Sequence, residues 1–488
     1  MSLINVSNLT FAYEGSYDNI FENVSFQLDT DWKLGFTGRN GRGKTTFLNL
    51  LLGKYEYSGE IIANVDFQYF PHTVNNKTKL TQTIIREVSP MHQDWELIRE
   101  LSLIDVSEDV LHRPFDTLSN GEQTKVLLAA LFLSDNNFLL IDEPTNHLDI
   151  AGRKIVSRYL NGKSGFIVVS HDRAFLDGCV DHVLSINRTN IEVQRGNFSS
   201  WLANKELQDN FELAENEKLK KDIKRMQKSA REKAAWSDKV EKSKIGNKVY
   251  DRGFVGHKAA KMMQLSKNIE TRQQKSIEEK SQLLKNIEQA DSLKITQIPY
   301  HKPQYLSLRD VGIFYSDNNV CENISFEVMR GDRIALYGKN GSGKSSIIKL
   351  ILGENISYHG ELSVGTGLQI SYVSQDTSHL SGNLTDYAHR HNIDESLFKA
   401  ILRKLDFSRV QFEKDMKDFS GGQKKKVLIA KSLSEKAHLL IWDEPLNFID
   451  VLSRMQIEAL LLAHKPTILF VEHDSIFCDK IATKKIGM

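Results

Sequence analysis

The sequence predicts an α/β protein in which one domain occurs twice, the two copies joined by a long α-helical hairpin. Three observations predict it: a glycine-rich loop that returns after 300 residues, further motifs that return in the same order, and a proline-free basic insert between the copies. GRNGRGKTT (Gly38 to Thr46) comes back as GKNGSGKSS (Gly338 to Ser346). Lys44 maps to Lys344 at an offset of 300, Ser119 to Ser420 and Asp142 to Asp443 at 301, and His171 to His473 and Tyr13 to Tyr315 at 302. Motifs so widely scattered keep a near-constant offset only if a whole domain is duplicated. The expected division is 1–203, 204–297 and 298–488, with the tip of the hairpin near 245–257.

Composition narrows the class. The chain has 488 residues, 40% hydrophobic and 26% charged, enough for two or three domains with full-sized cores. No segment approaches the ~18 to 20 unbroken apolar residues of a membrane span. Met1 to Phe11 has neither a basic region nor an apolar core, so no secretory leader is expected. Cys179, Cys321 and Cys478 are far apart and lack metal-ligand spacing, which suits a reducing cytoplasm and small buried side chains.

In each copy an apolar strand (Leu34 to Phe36, Ile334 to Tyr337) runs into the glycine-rich loop. Both loops fit G-x-x-x-x-G-K-[ST], in which glycines let backbone N–H groups turn toward phosphate oxygens at the start of a helix. Gly38, Asn40, Gly41, Gly43, Lys44, Thr45 and Thr46 form the first candidate ATP loop. Gly338, Asn340, Gly341, Gly343, Lys344, Ser345 and Ser346 form the second. The lysines should reach the β- and γ-phosphates, and Thr45 and Ser345 should ligate Mg²⁺. Downstream, FLLIDEP (Phe138 to Pro144) and LLIWDEP (Leu439 to Pro445) each end in two acids. Asp142 and Asp443 are placed to hold Mg²⁺, and Glu143 and Glu444 to polarise the attacking water. An isolated pair of acids would more simply cap a helix. Two pairs, each behind a phosphate loop, favour catalysis.

The insert carries the basic charge. Its 94 residues, 204–297, hold 22 Lys and Arg against 15 Asp and Glu, a net of +7 in a chain of net +1. Within Lys218 to Lys261 the excess is +10. All eight prolines lie outside Thr145 to Ile298, and Pro299 and Pro303 open the second copy. Ile223, Met226, Ala230 and Ala234 step by three and four, as do Leu265 with Ile269 and Leu284 with Ile287. Gly246, Gly253 and Gly256 cluster where the chain would reverse. Two helical arms of ~40 residues would each reach about 60 Å. Such a hairpin reads either as a solvated coiled-coil linker or as an arm that follows nucleic-acid phosphates. The charge excess favours RNA, as does a tip that mixes Lys244, Arg252 and Lys258 with Phe254 and Val255.

Here a resemblance becomes specific. LSNGEQ (Leu118 to Gln123) and FSGGQK (Phe419 to Lys424) resemble the signature loop of ABC ATPases, each just upstream of the acidic strand. The resemblance implies two tandem ABC-type nucleotide-binding domains docked head to tail, ATP holding the closed state and hydrolysis releasing it. Lys44 would then share a site with Ser420 and Gly422, and Lys344 with Ser119 and Gly121. It also implies that His171 and His473 contact γ-phosphate and that Asp149 and Asp450 cross between sites. Gln375 would sense Mg²⁺ and water. Tyr13 and Tyr315 would stack on adenine, although either tyrosine, taken alone, reads equally as core. The first copy departs from the pattern: His72 stands where Gln is usual and Asn120 replaces a glycine, so unequal turnover is expected.

Tandem cassettes with a basic insert resemble the ABC-F translation factors along the whole chain. EPTNHLD (Glu143 to Asp149) and SHDRAFLD (Ser170 to Asp177) are close to that family's wording. EPLNFID (Glu444 to Asp450) and DRGFVGHKAAKMM (Asp251 to Met263) resemble its Lsa-type antibiotic-resistance branch. The resemblance implies a cytoplasmic, monomeric partner of the bacterial 70S ribosome. The linker would run from the E site toward the P-site tRNA and the 23S rRNA of the peptidyl-transferase centre. Protection would extend to lincosamides, streptogramin A and pleuromutilins. A housekeeping ABC-F translation factor is the competing expectation. A transporter ATPase would need a membrane partner, and a DNA-repair ATPase a far longer insert or zinc cysteines.

Overall fold

The computed structural model describes residues 2–14, 19–134, 137–186, 191–242, 271, 293, 295, 297–315 and 318–488. The chain forms two compact units: Met1–Trp201 with Ala290–Met488, and Leu202–Gln289. No helix among the described residues is long and apolar enough to cross a membrane.

The first cassette opens with β1 (Leu3–Phe11), β2 (Phe21–Asp29), β3 (Lys33–Thr37) and α1 (Lys44–Leu51). It continues through β4 (Ser58–Ile62), β5 (Asp66–Phe70), α2 (Thr81–Val88), α3 (Asp94–Leu103) and α4 (Asn120–Leu131). It closes with β6 (Asn137–Asp142), α5 (Ile150–Asn161), β7 (Phe166–Val169), α6 (Arg173–Cys179), β8 (His182–Ile186) and β9 (Ile191–Arg195). A six-stranded sheet has the order β5-β6-β7-β3-β8-β9, parallel except for β9 at its edge. Beside it lies an antiparallel sheet, β2-β1-β4. Phe138 to Ile141 and Phe166 to Val169 are buried without interruption, as strands covered on both faces must be. Alternating burial along β1 marks a strand with one face in the core. Phe47 of α1 anchors that core, with Phe21, Phe26 and Phe36 packed around its ring.

The second cassette repeats the plan with β10 (Gln304–Tyr315), β11 (Asn318–Met329), β12 (Arg333–Tyr337), α8 (Lys344–Ile351), β13 (Ser357–Val364) and β14 (Ile370–Val373). Then come α9 (Leu384–Arg390), α10 (Glu395–Lys404), α11 (Gly421–Ser434), β15 (Leu439–Asp443) and α12 (Val451–His464). Last are β16 (Ile468–Val471), α13 (Ser475–Ile481) and β17 (Lys484–Gly487). Its parallel sheet has the equivalent order β14-β15-β16-β12-β17, beside β11-β10-β13. Leu293 is buried in this cassette's core and Gln297 bridges to Ala437. In both sheets the parallel register brings the loop after β3 or β12 and the acids after β6 or β15 to the same edge, outside the strands' carboxyl ends. That edge is where open α/β sheets hold ligands.

In chain order the first cassette is followed by α7 (Phe198–Lys242), a helix of 45 residues. On it Lys220, Lys221, Lys224 and Arg225 are exposed while Ile223 and Met226 are half-buried, so one face is basic and the other apolar. The second arm, the three glycines and the tip residues Lys244, Arg252, Phe254, Val255 and Lys258 lie outside the described residues.

Candidate functional site

Each glycine-rich loop ends on a glycine in the left-handed region, Gly43 at φ +94° and Gly343 at φ +92°, which caps α1 or α8. A Cβ on Gly43 would come 2.5 Å from Ile20 Cγ2, so both conformation and space demand glycine there. The loop therefore points its N–H groups into a cavity at the helix start. Lys44 Nζ donates to the Gly38 and Arg39 carbonyls at 2.8 and 3.2 Å. Lys344 Nζ does the same with Gly338 and Lys339 at 3.0 and 2.7 Å. Both cations are thus folded over their own loops, each with a pKa lowered by burial and partly restored by nearby carboxylates.

The acidic strands deliver their side chains to the same cavities. Thr45 Oγ1 donates to Asp142 Oδ2 at 2.9 Å, and Tyr69 donates to the same oxygen at 3.0 Å. In the second copy Ser345 bonds Asp443, whose Oδ1 is buried without a partner. Glu143 and Glu444 do not cap helices; Asp149 and Asp450 do, at α5 and α12. Both glutamates sit at positive φ, +50° and +47°, with their N–H groups tied to Val169 and Val471. A non-glycine residue held there at a strand end is strained, and repeating that strain in both copies is a mark of function.

The two glutamates differ in their surroundings. Glu444 accepts hydrogen bonds from Gln375 at 3.0 Å and Asn447 at 2.5 Å, with His473 Nε2 3.4 Å away. Burial pushes its pKa up, but His473, Gln375 and Lys425 outweigh that and hold it low. Glu143 has His171 Nε2 at 3.3 Å, and its Oε1 accepts no hydrogen bond. Burial and the neighbouring Asp142 push Glu143 up, against Lys44, Arg454 and Arg153. His72 is exposed and does not line the first cavity, so it does not take the glutamine's place there. His171 is itself pushed well down by burial and by Lys44.

Both cavities are shared between cassettes. The first, about 470 Å³, combines Tyr13, Asn40, Gly41, Lys44, Thr46 and His171 with Ser420 and Gly422. The second, about 900 Å³, combines Asn340, Gly341, Lys344, Ser346, Gln375 and His473 with Ser119, Asn120 and Gly121. Asn40 donates to the Phe448 carbonyl at 2.6 Å, and Asn340 to the His147 carbonyl at 3.4 Å. Ser119 and Ser420 are N-caps of α4 and α11 in reciprocal capping boxes, which aim the helix N–H groups at the cavities. Tyr13 and Tyr315 are 42% and 45% exposed, so they are not core residues. Their hydroxyls bond Thr46 and Ser346 at 2.7 and 3.2 Å, beside the loops.

Several participants were invisible to motif reading. Lys426, within a KKK run that suggests a solvated face, is buried and holds Asp450 at 2.9 Å. Lys425 donates to the carbonyls of Ser374 and Asp443. Arg173 of the first cassette grips Glu458 of the second and lies 3.7 Å from Asp474. Arg153 reaches Asp172 at 2.8 Å and the His473 carbonyl at 3.3 Å. The assembled groups suit phosphoryl transfer to water: donors and a cation for the phosphates, oxygens for a divalent ion, and a fixed carboxylate beside a histidine. Among the described residues no group of three or more His, Cys, Asp and Glu side chains is arranged to hold a metal by itself.

Comparison with known proteins agrees with this geometry. The ABC transporter family model matches residues 21–146 and again 321–447. The ATP-binding protein Uup of Buchnera aphidicola is 28% identical over 99% of this chain and 80% of its own length. The ribosome protection protein VmlR of Bacillus subtilis is 26% identical over 100% of this chain and 86% of its own. Among solved structures, the archaeal ribosome recycling factor aABCE1, crystallised with ribosomal stalk protein aP1, superposes with a TM-score of 0.63 at 17% identity. That match covers 98% of this chain and 87% of the other, and it shows the shared fold.

Proposed function

The chain belongs to the ABC family, as a tandem-cassette ATPase of its ABC-F branch, and from that premise we propose that it binds the bacterial 70S ribosome and protects the peptidyl-transferase centre from antibiotics. The observation that carries the reading is the sharing of each ATP cavity between the loop of one cassette and the signature helix of the other. ATP bound there touches both cassettes and favours their pairing. Hydrolysis removes the γ-phosphate on which the signature serines and glycines converge, and so releases the pair.

In this reading Lys44 and Lys344 swing from their loop carbonyls to the β- and γ-phosphates. Glu143 and Glu444 take the proton from water, and His171 and His473 orient the γ-phosphate. The converging oxygens of Thr45 and Asp142, and the unpartnered Asp443 Oδ1 beside Ser345, fit Mg²⁺. When bound, Mg²⁺ neutralises charge on the β- and γ-oxygens.

The protein works as a cytoplasmic monomer. Its basic helix follows rRNA phosphates, and its tip, Lys244, Arg252, Phe254, Val255 and Lys258, meets 23S rRNA and the P-site tRNA. The similarity to the ribosome protection protein VmlR supports the protective role, and the spectrum in this reading is lincosamides, streptogramin A and pleuromutilins. A housekeeping ABC-F translation factor is the second reading, since a relative as similar as VmlR is the ATP-binding protein Uup, whose name carries no protective role.

The test is Glu143→Gln combined with Glu444→Gln. The double variant should retain ATP, lose turnover and copurify with 70S ribosomes. Turnover at the wild-type rate would defeat the catalytic assignment, and absence from ribosomes the partner. Wild-type protein that raises neither lincomycin nor tiamulin inhibitory concentrations in a sensitive host would select the housekeeping reading.

A further inference from the structure

The duplication places equivalent residues on both sides of the cassette interface, and the two sides are filled differently. On one side Arg173 and Glu458 form a buried ion pair, with Lys480 3.6 Å from the same carboxylate. At the same offset of 301 to 302, Ser475 replaces Arg173, Ser157 replaces Glu458 and Gly178 replaces Lys480. Three large charged side chains thus become two hydroxyls and a glycine. A cavity of about 390 Å³ occupies the space, lined by Ser157, Gly178 and Ser475 together with Arg153, Lys154 and Arg158.

Its chemistry is cationic. Arg153 is satisfied by Asp172, which in turn caps α6 through the Phe175 N–H. Lys154 and Arg158 have no acidic partner among the described residues, and the second cassette has Met455 and Ala459 at the equivalent positions. The site has therefore lost the carboxylate of the Glu458 position and gained two cations. His473 lines both this cavity and the second ATP cavity. Its Nε2 faces Glu444 at 3.4 Å on the ATP side, while Nδ1 of this 6% exposed ring has no hydrogen-bond partner. A buried ring nitrogen without a partner is costly unless something fills its bond.

We propose that this cavity binds a small oxyanion, inorganic phosphate, which bridges the two cassettes beside the second ATP site. The Arg158 guanidinium, the Lys154 ammonium, the Ser475 hydroxyl and the Asn161 amide supply donors of the kind a tetrahedral anion accepts, while the Ser157 hydroxyl donates to the Phe175 carbonyl. The anion takes the place that Arg173 and Glu458 fill on the other side. Because it touches both cassettes, it favours their paired state by mass action. The proposal rests on the ATP-closed arrangement; its source is either phosphate released at the second site or phosphate from solution.

The experiment uses the full-length Glu143→Gln/Glu444→Gln protein saturated with Mg–ATP, so that both γ-phosphate positions are filled. Radiolabelled inorganic phosphate is titrated by equilibrium dialysis, with bound ATP counted in the same sample. One phosphate per chain, displaced by sulfate, is expected. Lys154→Ala with Arg158→Ala should weaken it at least tenfold and leave bound ATP unchanged. Ser157→Glu with Ser475→Arg should abolish it by rebuilding the ion pair. Absence of saturable phosphate while two ATP remain bound would overturn the proposal, as would equal affinity in all variants. Loss of bound ATP would instead indict the ATP-site reading. In wild type, label from γ-labelled ATP that resists a phosphate chase identifies the product as the source, and label that exchanges at once identifies the solution pool.

Discussion

Glu458→Gln is the most informative single substitution outside the ATP cavities. Glu458 and Arg173 are 5% and 4% exposed, and the guanidinium also lies 3.7 Å from Asp474, which is fully buried. The contact joins α6 of one cassette to α12 of the other, so the cost of breaking it falls on cassette pairing. Removing one member of a buried pair typically costs about 3–5 kcal/mol, because the other charge stays desolvated, and Arg173 would keep only Asp474, which already serves Arg454. At about 1.4 kcal/mol per tenfold, the paired state should weaken by roughly a hundredfold to several thousandfold. Removing both charges, as Arg173→Met with Glu458→Leu, should recover most of that loss, since apolar replacement of a buried pair is often near neutral. The assay is the lifetime of bound ATP in the Glu143→Gln/Glu444→Gln background, with thermal unfolding of each cassette followed in parallel. The reasoning fails if Glu458→Gln leaves the ATP lifetime within threefold of its parent. It also fails if the double replacement is no better than the single one.

Three further outcomes are expected. Glu444→Gln alone should prolong ribosome retention more than Glu143→Gln alone, because Gln375 engages Glu444 while exposed His72 gives Glu143 no counterpart; copurification of the two single variants decides it. Neutralising the exposed Lys220, Lys221, Lys224 and Arg225 should weaken ribosome association and flatten its salt dependence by up to roughly three units of slope, with ATP turnover in the absence of ribosomes unchanged. Phe254→Ala, expressed at the wild-type level, should lower lincomycin and tiamulin resistance by an amount near the ~1–3 kcal/mol of a base–aromatic stack. Ribosome copurification should persist; its loss would make the tip an anchor.

Much of the fold was legible because both copies state it. The burial of Phe138 to Ile141 follows from an unbroken apolar run, and the turn at Gly43 from a position only glycine can occupy. The loop lysines and the paired acids were legible for a similar reason: each does its work within a few residues of a fixed turn, so local spacing encodes it, whereas Ser119 and Ser420 were legible only through the resemblance of their loops to the ABC signature. Tyr13 was ambiguous between core and surface until its 42% exposure removed the first option.

The sequence by itself determined the duplication, the α/β class, the two phosphate loops and the place of the basic insert. Only the tertiary structure decided which charges are buried and what they face. Lys426 in its KKK run, Arg173 opposite Glu458, and the cavity left by Ser157, Gly178 and Ser475 all depend on partners tens or hundreds of residues away. Their energies come from desolvation, which is set by how two separately folded surfaces meet rather than by any periodicity along one of them.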